Sequence, residues 1–181
     1  MFTKVEAMYE LEIPSGVSVQ VKDEGIAIKG KLGSTLKRVN QKYVTVKVQG
    51  NKITIDLIKQ KDLAKRSGFA ASALKTELSD SMVSVDKGIE VKMKVLFAHF
   101  PTSIEIKGKS MFLKNLFGEK VPREVRIVGD TKVEVKGQDV TVKGVDKYEV
   151  GQTIANIRKG CYARGYDTRV FQDGIYINTE E

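Results

Sequence analysis

The chain has 181 residues, with 31 Lys and Arg against 23 Asp and Glu, one histidine, one cysteine and a pI near 9.4. That is room for one large domain or two small ones, and a lone Cys161 excludes an internal disulfide and fits a reducing compartment. No apolar run approaches the ~20 residues that span a bilayer. Residues 1–12 already carry Lys4, Glu6, Glu10 and Glu12, so no secretory leader is expected there and the chain reads as intracellular and cytoplasmic, with no membrane partner.

Positive charge is spread along the chain, with 15 basic against 10 acidic side chains in residues 1–88 and 16 against 13 in residues 89–181. Such a balance suits a polyanionic partner, nucleic acid above all, though many basic surfaces are merely solvated.

Residues 9–13 (YELEI) alternate polar and apolar, the pattern of a half-buried strand, and Pro14 closes it. Residues 17–21 and 26–28 alternate again around Asp23-Glu24-Gly25, a strand, a tight turn and a strand. Residues 43–48 and 52–57 give two more strands, joined at Gly50-Asn51 by a glycine-first hairpin turn. The period then changes. After Asp62 as N-cap, Leu63, Ala70, Leu74, Leu78, Met82 and Val85 recur at helical spacing, and Gly88 is the stop.

The plan then repeats. Residues 89–97 (IEVKMKVLF) form a long strand leading into the second half, residues 104–113 and 132–143 form hairpins, and Asp146 with Glu149 resembles a capping box ahead of a helix ending near Gly160. The duplication is visible directly. SVQVKDEGIAIKGKLGSTL from Ser18 lies without a gap over SIEIKGKSMFLKNLFGEKV from Ser103, an offset of 85 residues that sets Ile26 on Met111, Ile28 on Leu113, Gly33 on Gly118 and Leu36 on Val121. The match resumes two residues out of step, with Ile53 over Val140. A period this long means duplicated domains, because solenoid units run to ~20–50 residues.

The predicted fold is therefore α+β, two tandem duplicated domains at residues 1–88 and 89–181, each a small antiparallel sheet packed by one helix. With no linker composition between them, the two are expected to pack rigidly together. Residues 162–177 (YARGYDTRVFQDGIYI) have no counterpart in the first half.

Catalytic chemistry finds little to work with. His99, the sole histidine, precedes Phe100-Pro101 at a strand end and reads as a packed or surface side chain. Cys161 has no second thiol or nearby histidine and reads as a buried, inert group, so no metal site, no cofactor and no enzyme are expected. Asp167 and Asp173 are better explained by turn formation or ion pairing than by acid/base work. Gly30-Lys31-Leu32-Gly33 satisfies the G-x-x-G of RNA-clamping loops, but it follows a strand, and Gly33 and Gly118 read as turn residues. The richest constellation is the terminal block, where Arg164 and Arg169 stand among Tyr162, Tyr166, Phe171 and Tyr176, the mixture that grips RNA loops. The alternative is an ordinary edge strand through Phe171, Ile175 and Ile177.

Gln152 and the run Arg169-x-Phe171-x-Asp173-Gly174-Ile175-Tyr176-Ile177, with VGQTIANIR at residues 150–158 and the Gly118-Glu119-Lys120 loop, resemble the large-subunit ribosomal protein L-six family in its archaeal-type branch. The resemblance implies two similar α/β domains and a structural place in the large ribosomal subunit. It further implies binding of large-subunit ribosomal RNA mainly through the second domain, neighbouring ribosomal proteins, and translational GTPases docking nearby. Carried onto this chain, the RNA-binding candidates are Lys114, Lys120, Arg123, Arg158, Lys159, Arg164, Arg169 and Tyr176. Two features depart from the family pattern: Lys31 stands where proline is usual, and the chain ends in Thr179-Glu180-Glu181 where a basic tail is usual. The competing function is a protein-interaction module that recruits a partner at an exposed sheet edge.

Overall fold

The computed structural model describes residues 5–22, 25–58, 64–98 and 100–178. Lys4, the turn at Asp23 and Glu24, the cap at Asp62 with Leu63, His99, and the acidic end at Thr179, Glu180 and Glu181 lie outside the described residues. The chain divides into two compact units, Met1–Gly88 and Ile89–Glu181.

In the first unit, β1 (Val5–Glu12), β6 (Lys52–Ile58) and β5 (Val44–Gln49) make one three-stranded sheet in the order β1-β6-β5. A second sheet runs β2-β3-β4, from β2 (Ser18–Lys22), β3 (Gly25–Lys29) and β4 (Ser34–Lys37). All pairs are antiparallel. The β5–β6 turn follows its glycine-first sequence, with φ at 58° on Gly50. Alternation sends Ile53, Ile55 and Leu57 inward, where with Ile26, Ile28 and Val44 they meet the apolar stripe of α1 (Ala64–Lys87).

That stripe is Ala71, Leu74, Leu78, Met82 and Val85, all buried. The periodicity points to Ala70, which is only half-buried; Ala71 is the residue three before Leu74 on the same face.

The Gly30-Lys31-Leu32-Gly33 loop also differs from its expected role. Gly33 keeps an ordinary negative φ, and Gly30 is the position that must lack a side chain. Leu32 N–H donates to the Val85 carbonyl (3.0 Å), which satisfies an orphan acceptor in the last turn of α1, and a Cβ on Gly30 would stand 2.7 Å from that same oxygen. Lys31 reaches Asp86 at 3.1 Å, so the residue in the usual proline place ties this loop to the helix.

The second unit repeats this topology and adds to it. β7 (Ile89–Leu96) and β12 (Asp139–Gly144) pair as β1 and β6 do, with β11 (Lys132–Lys136) outside β12; β13 (Gly174–Ile177) lines the far edge of β7, giving β11-β12-β7-β13. The second sheet is β10-β9-β8, from β8 (Ser103–Lys107), β9 (Ser110–Lys114) and β10 (Arg123–Arg126). Helix α2 (Lys147–Gly160) rests on β10, β12 and β13 through Val150, Ile154 and Ile157. Met93, Val95, Met111, Leu113, Val140 and Val142 complete the core, and Ile175 enters it from β13.

Asp146 caps α2 as expected, its carboxylate accepting from Tyr148 N–H at 2.9 Å. The Glu149 carboxylate accepts from Asp130 N–H (3.1 Å), while its carbonyl accepts from the buried Thr153 hydroxyl.

Strand pairing refines the duplication. β2 and β3 lie on β8 and β9 at the expected offset, but Ile28 pairs with Thr35 where Leu113 pairs with Arg123. Leu36 therefore corresponds to Glu124 and not to Val121, because the loop before β10 is three residues longer than the loop before β4. Lys37 then occupies the inward position of Val125. It is buried, and its ammonium is 3.5 Å from Glu77 of α1.

Gly30→Ala is expected to destabilise the chain by about 1–3 kcal/mol, the range for overpacking a tight contact. Gly68→Ala, at a helical site with nothing within 4 Å of the added carbon, is expected to stabilise it by about 0.5–1 kcal/mol. Urea midpoints of the two variants against the parent check both signs.

Candidate nucleic-acid interface

The loop between β9 and β10 is bent by its backbone. Asn115 (φ 58°), Phe117 (φ 54°) and Gly118 (φ 77°) all occupy the left-handed region, which costs a residue with a side chain roughly 1–2 kcal/mol. Asn115 Nδ2 donates to the Pro101 carbonyl (3.1 Å), and Glu119 N–H donates to the Leu116 carbonyl (3.0 Å). The bend delivers Phe117 into the core, where only 4% of it is exposed. Its ring stacks on Tyr166 (centroids 5.4 Å, planes 21° apart) and meets Phe171 edge-on at 6.4 Å, while Tyr166 and Phe171 lie 4.9 Å apart. Three rings thus fasten the start of the terminal block to the loop, each pair contributing about 0.5–1.5 kcal/mol beyond its buried area.

Arg123, at the start of β10, is the second fastening. Nε donates to Glu119 Oε2 (2.7 Å) and Nη2 to Glu119 Oε1, a two-pronged grip on the carboxylate. Nη1 donates to the carbonyls of Gly160 (2.9 Å) and Tyr162 (2.7 Å), so the guanidinium also closes the C-terminal end of α2. Its face lies 5.5 Å from the Phe117 centroid. The Arg123 guanidinium holds the Glu119 carboxyl below the usual carboxylate range, with Arg164 adding a weaker attraction from nearby; Glu119 in turn raises Arg123 above its ordinary value.

This grip decides where the sequence-predicted residues fall. Lys120 adjoins Glu119, Arg158 and Lys159 adjoin Gly160, and Arg164 lies two residues beyond Tyr162, so four exposed cations come from three segments fixed to one guanidinium. Arg169 is exposed on the neighbouring turn, where Asp167 Oδ1 accepts from its N–H (2.9 Å) and the Asp167 carbonyl accepts from Val170 and Phe171.

Three predicted residues stand apart. Arg123 is an internal clamp, with 18% of its side chain exposed. Lys114 is paired with Glu105 at 2.7 Å, and that hydrogen bond, with a second from Lys107, holds the Glu105 carboxyl low. Tyr176 lies on the outer face of the four-stranded sheet, across from Lys94, and its hydroxyl donates to the carbonyl of Gln172, whose amide donates in turn to the Arg169 carbonyl. Of the terminal aromatic residues, Tyr166 and Phe171 belong to the ring cluster, and Tyr162 remains 63% exposed beside the cations. Tyr162 was visible in the sequence as an aromatic between Lys159 and Arg164.

Asp173 is buried, and its Oδ1 accepts from Ala98 N–H at 2.7 Å just beyond β7, which anchors the segment leading into β13. Cys161 is buried at the helix end, and burial pushes its thiol up to about 11. Among the described residues no group of three or more His, Cys, Asp or Glu could hold a metal, and no helix is long and apolar enough to cross a membrane.

The ion pair predicts a pH signature. Glu119 is more acidic folded than unfolded, so its contribution is complete above the unfolded value of about 4.3 and is lost as pH falls through the lower folded value. The thermal midpoint is expected to drop as pH falls below about 4, and Glu119→Gln is expected to start lower at pH 7 and to flatten that drop. Arg123→Ala, which strands a carboxylate and two carbonyls, is expected to cost about 2–3 kcal/mol. Arg123→Lys recovers less than half of that, since an ammonium cannot reproduce the fork. Thermal unfolding between pH 3 and 7 checks all three.

Residues 100–174, from the turn at Phe100 to the start of β13, match the family model described as ribosomal protein L6. The large ribosomal subunit protein uL6 of Methanosarcina mazei is 36% identical over 92% of this chain and 93% of its own length. That of Methanocella arvoryzae is 37% identical over 97% and 98%, and that of Picrophilus torridus 35% over 93% and 92%. At such identity over nearly the whole length, the chain belongs to the ribosomal protein L6 family in its archaeal form, a family of structural ribosomal components and not of enzymes.

Proposed function

We propose that this protein is a structural constituent of the large ribosomal subunit that binds large-subunit ribosomal RNA mainly through its second unit. The observation that carries the proposal is the set of exposed cations, Lys120, Arg158, Lys159 and Arg164, on three segments that one half-buried fork ties together, with Arg169 on the next turn. Backbone segments fixed beforehand need no ordering on binding, and each phosphate that the cations neutralise releases condensed counterions. Tyr162 offers a flat face to an unstacked base within the same cluster. The family resemblance is what supports neighbouring ribosomal proteins as further partners, a ribosomal location, and translational GTPases docking nearby.

The competing idea, recruitment of a protein at an open sheet edge, meets an unfavourable edge at β1. Among the described residues no strand lies outside β1. Leu11 pairs with Ile53, and Ile13 N–H continues the ladder to Asn51, so the backbone groups of Glu10 and Glu12 point away from β6. There the edge offers two carboxylates, a bulge between Ala7 and Tyr9, and Pro14 without a donor, all devices that discourage strand addition.

With ~5–8 phosphate contacts, log affinity for deproteinised large-subunit RNA is expected to fall with log salt at a slope of about −4 to −7. Arg164→Ala with Arg169→Ala is expected to weaken binding more than ten-fold and to flatten the slope by ~1–2. Lys22→Ala with Lys29→Ala is expected to change it less than three-fold. Filter binding across salt concentrations measures both, and a flat salt dependence would remove the mechanism.

A further inference from the structure

The duplicated sheets allow a comparison, position by position, of their faces turned away from the helices. In the first unit this face carries Glu10 and Glu12 on β1, and its charges cancel locally, Lys52 against Glu10 at 3.5 Å and Lys47 against Asp56 at 3.0 Å. In the second unit Met93 faces Val140 as Leu11 faces Ile53, so Lys92 and Lys94 stand where Glu10 and Glu12 stand in the first. Across the strands Lys94 lies beside Asp139, which lies beside Lys136. Among the described side chains this face holds five lysines against three acids, with Lys143 paired to Glu90 (3.7 Å) and Glu134 (3.6 Å), where the first unit's holds two lysines against three acids.

The second unit has also gained β13 on this edge. It places Tyr176 directly across from Lys94. The ring is fixed: it leans over Gly174, where an added Cβ would be 3.3 Å from Cε2, and its hydroxyl donates to the Gln172 carbonyl at 3.0 Å. With 45% of Tyr176 still exposed, the result is an immobilised aromatic face beside Lys94, with the exposed Leu96 next along the same face. Single-stranded nucleic acid is held by this combination, a base on the ring and the backbone along the cations.

We infer that the outer face of the four-stranded sheet, through Lys92, Lys94, Lys136 and Tyr176, is a second RNA-contact surface of this unit, separate from the cluster around Arg123. The inference rests on the RNA-binding reading above and extends it, because the unit then joins two segments of the RNA. Tyr176 joins this surface through its pairing with Lys94.

Single cysteines at Lys94 and at Arg164, each carrying a tethered iron chelate that releases hydroxyl radicals, test the inference in reconstituted large ribosomal subunits. Cys161 is buried with its thiol pushed up to about 11, so the parent chain serves as the unlabelled control. Both positions are expected to cut ribosomal RNA, at two different sets of nucleotides. Cutting from residue 164 with none from residue 94, or cutting of the same nucleotides from both, overturns the inference and leaves the cluster intact; no cutting from either overturns the RNA reading itself. Thr141→Cys, beside Lys92 on the same face, replaces Lys94→Cys if that variant fails to assemble. Independently, Lys92→Glu with Lys94→Glu, which restores the first unit's charges, is expected to lower affinity for deproteinised large-subunit RNA more than ten-fold at about 0.1 M salt, and a change under three-fold counts against the surface.

Discussion

One guanidinium holds the second unit's terminal block in place. Arg123 makes four hydrogen bonds, two to a carboxylate on its own loop and two to carbonyls at and beyond the end of α2, and its flat face lies near Phe117. Only a planar, permanently charged donor does all of this at once. The loop before β10 accepts two left-handed residues with side chains, a cost that the ring cluster and the arginine offset together. The terminal block is thereby fixed at three points: Arg123 on Gly160 and Tyr162, Phe117 on Tyr166, and Asp173 on Ala98.

The two units show how one scaffold diverges. Both keep a pair of small antiparallel sheets under a helix, with matching pairs such as Ile53 and Val140 fully buried. What changed is peripheral to that core. Three residues added before β10 created the bent loop; a strand added after α2 covered an edge; and Lys92 and Lys94 stand in place of Glu10 and Glu12. The first unit took another course, lengthening its helix to 24 residues and placing Lys37 where the second has Val125.

Much of the architecture was legible because it follows from period. Alternation marked the hairpins of β5 with β6 and β11 with β12, helical spacing marked α1, and Asp146 marked the start of α2. β4 and β10 were missed, since four residues such as REVR show too little alternation to register. Hydropathy paired Leu36 with Val121, but loop length decides strand register and it is not written in hydropathy. For the site, the cations were recognisable as residue types and could not be sorted. Arg123 and Arg164 look alike in one dimension, and only the distances to Glu119, Gly160 and Tyr162 separate the clamp from the exposed side chain. Lys92 and Lys94 were visible in IEVKMKVLF as a period-two row, yet without the β13 register nothing tied them to Tyr176.

The glutamates, bulge and proline along β1 bear on the time before assembly. A newly made copy, rich in β-structure, risks zipping edge to edge with its siblings. Like charges set against each other across such a seam, with a gap in the hydrogen-bonding row at Pro14, make that encounter unproductive. At β1 the first unit thus carries several features that disfavour edge-to-edge pairing.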